Sequence, residues 1–193
     1  MRRLLSFHAL LVYLFLYLPI LVVVALSFNE SRRGVHFTGF TLKWYQGLFQ
    51  DPRVLEYFAN TLVVALVSTL VSTVLGTLLA LGLVRYRFPG KGFLRYLLYV
   101  PVVVPDVVMG VSLLLLFAFS RELLGFPRLS LLTVILGHIT FQVAFVTLVV
   151  RSRLLLLDPA LEEAARDLGA RGFQTFLHVT LPLAWPGVAA GAL

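Results

Sequence analysis

Of the nine acidic residues in this 193-residue chain, Asp106 alone lies inside a long apolar run, in Val104-Pro105-Asp106-Val107-Val108-Met109-Gly110. A carboxylate near the centre of a membrane helix costs about 2.5–3.5 kcal/mol on insertion scales, so it is expected to face a partner or water. Two readings of Asp106 stand. Either it attracts an ammonium group of a cationic substrate along a translocation path, or it caps the helix after Pro105 or bonds to a hydroxyl or histidine elsewhere in the bundle. His138 and Gln142 lie four apart on one face of another apolar run and can bond to a neighbouring helix or to Asp106. We read an interhelical hydrogen bond there in preference to a proton relay.

Other chemistries find no residues. The chain has no cysteine and its four histidines are scattered, so no metal-ligand cluster is expected. Gly90-Lys91 lacks both the upstream glycine and the following hydroxyl of a phosphate loop. No catalytic residue is therefore assigned, and no cofactor is expected on this chain.

A second constellation sits in the polar island 158–182, which carries Glu163-Ala164-Ala165, then Gly169, then Val179, Leu181 and Pro182. Asp158 suits an N-cap and Pro159 the first helical position, where its missing amide costs nothing. Glu162 and Glu163 fall in the first turn, where carboxylates favour the positive helix end. Ala160, Ala164, Ala165 and Leu168 form a small-residue face that admits another backbone, and Gly169 is placed to end the helix in the left-handed conformation, with Gly172 a second permissive point. A helix over 159–168 is about 15 Å long, too short to cross a bilayer, and is expected to lie beside the membrane. The alternative is an ordinary capped surface helix.

The elements that must position these residues are membrane spans. With 60% hydrophobic and 13% charged residues and a mean hydropathy of +0.95, the chain falls outside the soluble globular class. Runs of spanning length cover 9–28, 62–84, 97–119 and 129–150, and a fifth, 183–193, is about half a span, so the sequence reads as one transmembrane domain over 1–193 that stops inside the membrane. The first run follows Arg2 and Arg3 and resembles a signal peptide at Ala25-Leu26-Ser27, but its length and Pro19 favour an uncleaved span. In the second run Ser68, Ser72, Gly76 and Ala80 recur every four residues beside Thr69, Thr73 and Thr77, read as a packing face in preference to a pore lining.

Basic residues flank the spans instead of forming one stripe, so the net charge of +7 speaks for membrane orientation and against nucleic acid. With the N-terminus inside, ten basic residues are cytoplasmic, including Arg2, Arg3, Arg85, Arg87, Lys91 and Arg95, against six outside, among them Arg32 and Arg33. This orientation puts Glu163 in the cytoplasm. The outer segment 29–60, with Trp44, Tyr45, Phe49, Tyr57 and Phe58, is expected to hold short amphipathic helices at the interface. It serves there either as an aromatic anchor or as a dock for an external binding protein.

The spacing around Glu163 resembles the EAA loop of ABC importer permeases: Glu-Ala-Ala, three residues, Gly, nine residues, then Ile-x-Leu-Pro, with only Val179 departing from it. Tyr13 to Ile20, Ser27-Phe28-Asn29, Arg85-Tyr86-Arg87-Phe88, Pro105 to Met109, His138 to Phe141 and Asp167 to Ala170 are similar to the PotC-type permeases of spermidine/putrescine importers. The resemblance implies an all-α integral membrane bundle of the type I ABC importer permease (MetI-like) class, with six spans and a cytoplasmic coupling helix, in the bacterial inner membrane. It implies a homologous PotB-type permease, two copies of a PotA-type ATPase carrying the ATP and Mg, and a periplasmic PotD-type polyamine-binding protein as partners. On this likeness Glu163, Ala164, Ala165, Gly169, Leu181 and Pro182 couple to the ATPase; Asp106, His138 and Gln142 are placed on the substrate path by their own chemistry and spacing. An ABC permease for another small solute and an ion-gradient-driven carrier using Asp106 and His138 are the alternative functions. A membrane scaffold or receptor leaves the carboxylate of Asp106 unexplained.

Overall fold

The computed structural model describes residues 2–31, 34 and 36–193, with side chains from residue 4 onward. The orientation argument's Arg32 and Arg33 lie outside the described residues, as do the side chains of Arg2 and Arg3. Among the described residues every regular element is helical, apart from one isolated antiparallel bridge between Asn29 and Phe40. The chain divides into two compact units, Met1–Ala59 and Asn60–Leu193.

The first unit holds α1 (Arg2–Ser27), α2 (Lys43–Gln50) and the start of α3 (Pro52–Arg85). Apolar side chains all along α1 are exposed, the condition of a helix whose solvent is lipid. The outer segment differs from the expected string of interfacial helices. Only α2 is a short helix, and the stretch from Pro52 already belongs to α3. Between α1 and α2 the buried Asn29 organises the loop: its Nδ2 donates to the His36 carbonyl (2.6 Å), its Oδ1 accepts from the Thr38 amide (2.9 Å), and its own carbonyl accepts from Trp44 Nε1 (2.9 Å). Phe28 stacks on Phe40 and Tyr45 beside it.

The second unit contains the rest of α3, then α4 (Lys91–Leu97), α5 (Val100–Val103), α6 (Asp106–Leu124), α7 (Leu131–Leu154), α8 (Ala160–Asp167), α9 (Gly172–Thr175), a π-turn (Phe176–Thr180) and α10 (Leu181–Ala192). Leu4–Ser27, Pro52–Arg85, Asp106–Leu124 and Leu131–Leu154 are long and apolar enough to cross a membrane. Two expected boundaries are corrected. The run 97–119 is not one helix: Val104 and Pro105 are extended (ψ 131° and 137°), and α6 starts only at Asp106. Pro105 has no amide to donate and keeps the residue before it out of the helical region, which is enough to split the span. The last helix does not begin at 183. It runs from Gly172 through the π-turn, which absorbs the backbone irregularity just before Pro182, so Leu181 and Pro182 occupy the first turn of α10, where proline is tolerated.

The core lies among α3, α7 and α10, where Ala80, Val146, Val150, Leu154, Ala184 and Val188 pack together. Ser68, Ser72, Gly76 and Ala80 are all buried, as a packing face requires. A Cβ on Gly76 would lie 2.7 Å from Val146 Cβ, and one on Gly187 2.6 Å from Arg153 Cβ. Lipid offers no hydrophobic drive between helices, so this close approach of small residues supplies the dispersion contact that joins them. Gly76→Ala is therefore expected to cost about 1–3 kcal/mol by overpacking. Gly82→Ala, whose Cβ meets nothing within 4 Å, is expected to stay within about 0.5 kcal/mol. Thermal unfolding of the two variants in detergent checks this, and equal midpoints would refute the packing assignment.

Candidate functional site

Helix α8 forms as its local sequence dictates. Asp158 Oδ1 accepts from the Ala160 amide at 2.9 Å, closing the N-terminus over Pro159. At the other end Gly169 takes φ +90°, with its amide on the Arg166 carbonyl (2.9 Å) and the Ala170 amide on that of Ala165 (3.0 Å). That pair is a Schellman motif, and the left-handed residue it needs is supplied by glycine. Gly172, by contrast, is not a left-handed point: it opens α9. Glu163 and Ala164 are exposed, Ala165 is half-buried, and Leu161 and Leu168 are exposed on the same short helix, Leu168 at 90%. An apolar, small-residue face stands open beside a carboxylate. Leu181 and Pro182 are not part of it, since Leu181 packs against the α3/α7/α10 core and Pro182 is exposed on α10.

Glu162, not Glu163, holds α8 to the bundle. Its Oε1 accepts from Arg85 Nε (3.1 Å) and Nη2 (2.8 Å) at the end of α3, and from Thr180 Oγ1 (2.8 Å) in the π-turn. Both charged side chains are largely enclosed, 20% exposed for Arg85 and 11% for Glu162, so water screens the pair weakly. Arg166 Nη2 stands 4.0 Å from the other oxygen, one helical turn on. Sequence reasoning placed both glutamates at the helix dipole and missed this contact. The available signal was the doublet itself: adjacent residues point about 100° apart on a helix, so the two carboxylates meet different surroundings. Its partner, 77 residues away, carried none.

Asp106, His138 and Gln142 line one groove of about 560 Å³ between α6 and α7, with Met109, Phe117 and Phe141. They share it without bonding to one another. Asp106 is the first residue of α6 and makes no side-chain cap. Among the described residues its carboxylate has no hydrogen-bond or ion-pair partner, so of the readings given to it the cap and the hydroxyl or histidine bond are not what the structure contains. His138 Nδ1–H donates to the Val134 carbonyl of its own helix (2.9 Å), which leaves Nε2 as the free ring nitrogen. Gln142 Oε1 accepts from Ser72 Oγ of α3 (3.3 Å), an interhelical bond between polar groups 70 residues apart.

Residues 72–193 match the family described as binding-protein-dependent transport system inner membrane component. The chain is 43% identical over 180 residues to the spermidine/putrescine transport system permease protein PotC of Escherichia coli K12, covering 93% of this chain and 66% of that protein. It is 39% identical over 186 residues to the putrescine transport system permease protein PotI of the same organism, covering 95% of this chain and 66% of the relative. The chain thus spans just under two thirds of the length of these relatives. A crystal structure of a bacterial ABC transporter involved in the import of the acidic polysaccharide alginate superposes with a TM-score of 0.74 at 20% identity, over 98% of this chain and 71% of that one. The fold is that of ABC importer permeases, and the chain is a multi-pass, all-α membrane protein. It belongs to the family of binding-protein-dependent transport system inner membrane components.

Proposed function

We propose that the chain is the permease subunit of an ATP-driven importer of polyamines, forming one half of the translocation path. The observation that carries this reading is the 43% identity to a spermidine/putrescine permease over nearly the whole chain. The chemistry of the groove supports it. A carboxylate without a partner among the described residues, next to Phe117, Phe141 and a carboxamide, suits a flexible chain bearing ammonium groups: the charge attracts, the rings receive cations on their faces, and the amide oxygen accepts N–H. Family membership sets the ion-gradient-driven carrier aside.

The N-terminus is assigned to the cytoplasm on the balance of basic residues, which brings α8 to the inner face. There its open face, with Glu163, Ala164 and the Gly169 turn, docks a separate ATPase dimer that holds the ATP and Mg. A homologous permease completes the path, and a periplasmic binding protein delivers the substrate. Closure of the ATPase pair pushes α8. The Glu162–Arg85–Thr180 contact passes that push to α3 and α10, and the two permeases rock to open inward.

ATP-dependent uptake of labelled spermidine or putrescine into vesicles holding the full complex tests the reading, and no uptake above the ATP-free control would refute it. In that assay Asp106→Asn is expected to reduce kcat/KM about 10- to 100-fold, the equivalent of one lost charge-assisted contact, with insertion unchanged. Gly169→Asp puts a side chain at φ +90° and is expected to abolish uptake while ATP hydrolysis continues; uptake within twofold of the parent would remove the α8 turn from the coupling route. Glu162→Ala leaves Arg85 unpaired, costs on the order of 3 kcal/mol of stability, and is expected to uncouple in the same way. Restoration of uptake by the exchange Glu162→Arg with Arg85→Glu separates coupling from mere destabilisation.

A further inference from the structure

A smaller cavity of about 220 Å³ lies between the end of α4 and the last turns of α7, lined by Arg95, Tyr96, Leu98, Tyr99, Leu148 and Arg151. It is separate from the groove at Asp106 and from α8. Two guanidinium groups line it and no carboxylate does. Neither Arg95 nor Arg151 forms an ion pair or a side-chain hydrogen bond among the described residues, and Arg151 Nε is buried with no acceptor. Arg151 in the last turn of α7 complements that helix's negative end, which accounts for its charge but not for a buried donor left empty.

We infer that this cavity binds a phosphate group, with the headgroup of an anionic phospholipid as its source. The guanidinium fork matches phosphate oxygens in pairs, and two tyrosines, Tyr96 and Tyr99, share the lining. Placement favours the lipid. Helix α4 exposes Phe93 (72%) and Tyr96 (78%), as aromatics do at headgroup depth. The segment 85–100 is basic with no acidic residue, and a basic pocket between spans on the cytoplasmic side is where anionic headgroups are held. Lys91 is not in the lining, and its Nζ donates to the Tyr86 carbonyl at 2.7 Å. A headgroup there braces α4 against α7 next to the break that precedes Asp106. The inference rests on the cytoplasmic orientation proposed above, though not on the substrate.

The affinity-purified chain with its copurifying subunits is reconstituted in nanodiscs of phosphatidylcholine and phosphatidylglycerol, and retained lipid is counted by native mass spectrometry. The parent is expected to retain phosphatidylglycerol at least tenfold over its share of the bilayer. That excess disappears in Arg95→Gln/Arg151→Gln and persists in Arg87→Gln, which changes an exposed arginine outside the cavity. Should the double variant fail to assemble, Arg151→Lys, which keeps the charge and loses the fork, is expected to lower the excess several-fold. In a second arm, phosphatidylcholine discs are titrated with inorganic phosphate. A rise in thermal midpoint seen in the parent but not in Arg151→Lys, without phosphatidylglycerol retention, upholds the phosphate site and assigns it to free phosphate. If neither ligand tells the parent from the variants, the site is refuted. Orientation is read independently, by labelling Glu163→Cys in this cysteine-free chain with a membrane-impermeant maleimide on intact spheroplasts: labelling from outside overturns the orientation, whatever the lipid arms report.

Discussion

The position of helix α8 depends on one carboxylate oxygen. Oε1 of Glu162 collects two N–H donors from the end of α3 and one hydroxyl from the π-turn leading into α10, all within 3.1 Å. Hydrogen bonds to a charged acceptor are about twice as strong as neutral ones. Three of them on one atom fix direction as well as distance. Helix α8 is only eight residues long, too short to persist alone in water, so its position comes from its caps and from this contact. The helix is thus held on its inner side and open on its outer side. The Schellman turn at Gly169 completes it by fixing where the chain leaves.

The second constraint is the break at Val104–Pro105. In hydrocarbon every backbone polar group needs a partner, so non-helical residues at membrane depth are tolerated only where protein or a cavity covers them. Here the cost is reduced locally: the Val104 amide still reaches the Val100 carbonyl (2.9 Å), and the Pro105 carbonyl accepts the Met109 amide (3.1 Å). Because the break ends at residue 105, Asp106 begins a helix. Its charge gains from the positive end of α6, which lowers the expense of leaving it without a partner in the groove. Packing obeys the same logic of the bilayer. Gly76 and Gly187 let α3 and α10 approach α7 closely, while α1 and α6 keep apolar surfaces exposed along their lengths.

Much of this was legible in the linear chain. Hydropathy and length identified the spans, because twenty apolar residues in a row have one inexpensive solvent. Asp158, Pro159 and Gly169 announced α8 almost to the residue, since capping is decided by groups two to four positions apart. The four-residue recurrence of Ser68, Ser72, Gly76 and Ala80 announced a packing face for the same reason. Pro105 warned of a break, although reading 97–119 as one span underestimated how completely it divides the helix.

What only the tertiary structure decided was which polar group meets which. Glu162 turns inward to Arg85 and Thr180 while Glu163 stays outside. Gln142 takes Ser72 instead of Asp106, His138 bonds to its own helix, and Leu181 joins the core instead of the open face of α8. These choices link residues far apart in the chain through the crossing of helices, and no local periodicity encodes a crossing. Sequence alone therefore determined most of the spans and the caps of α8, whose energies are set within one turn. The pairing of charges and hydroxyls between elements waited on packing, because a partner is selected by distance in space.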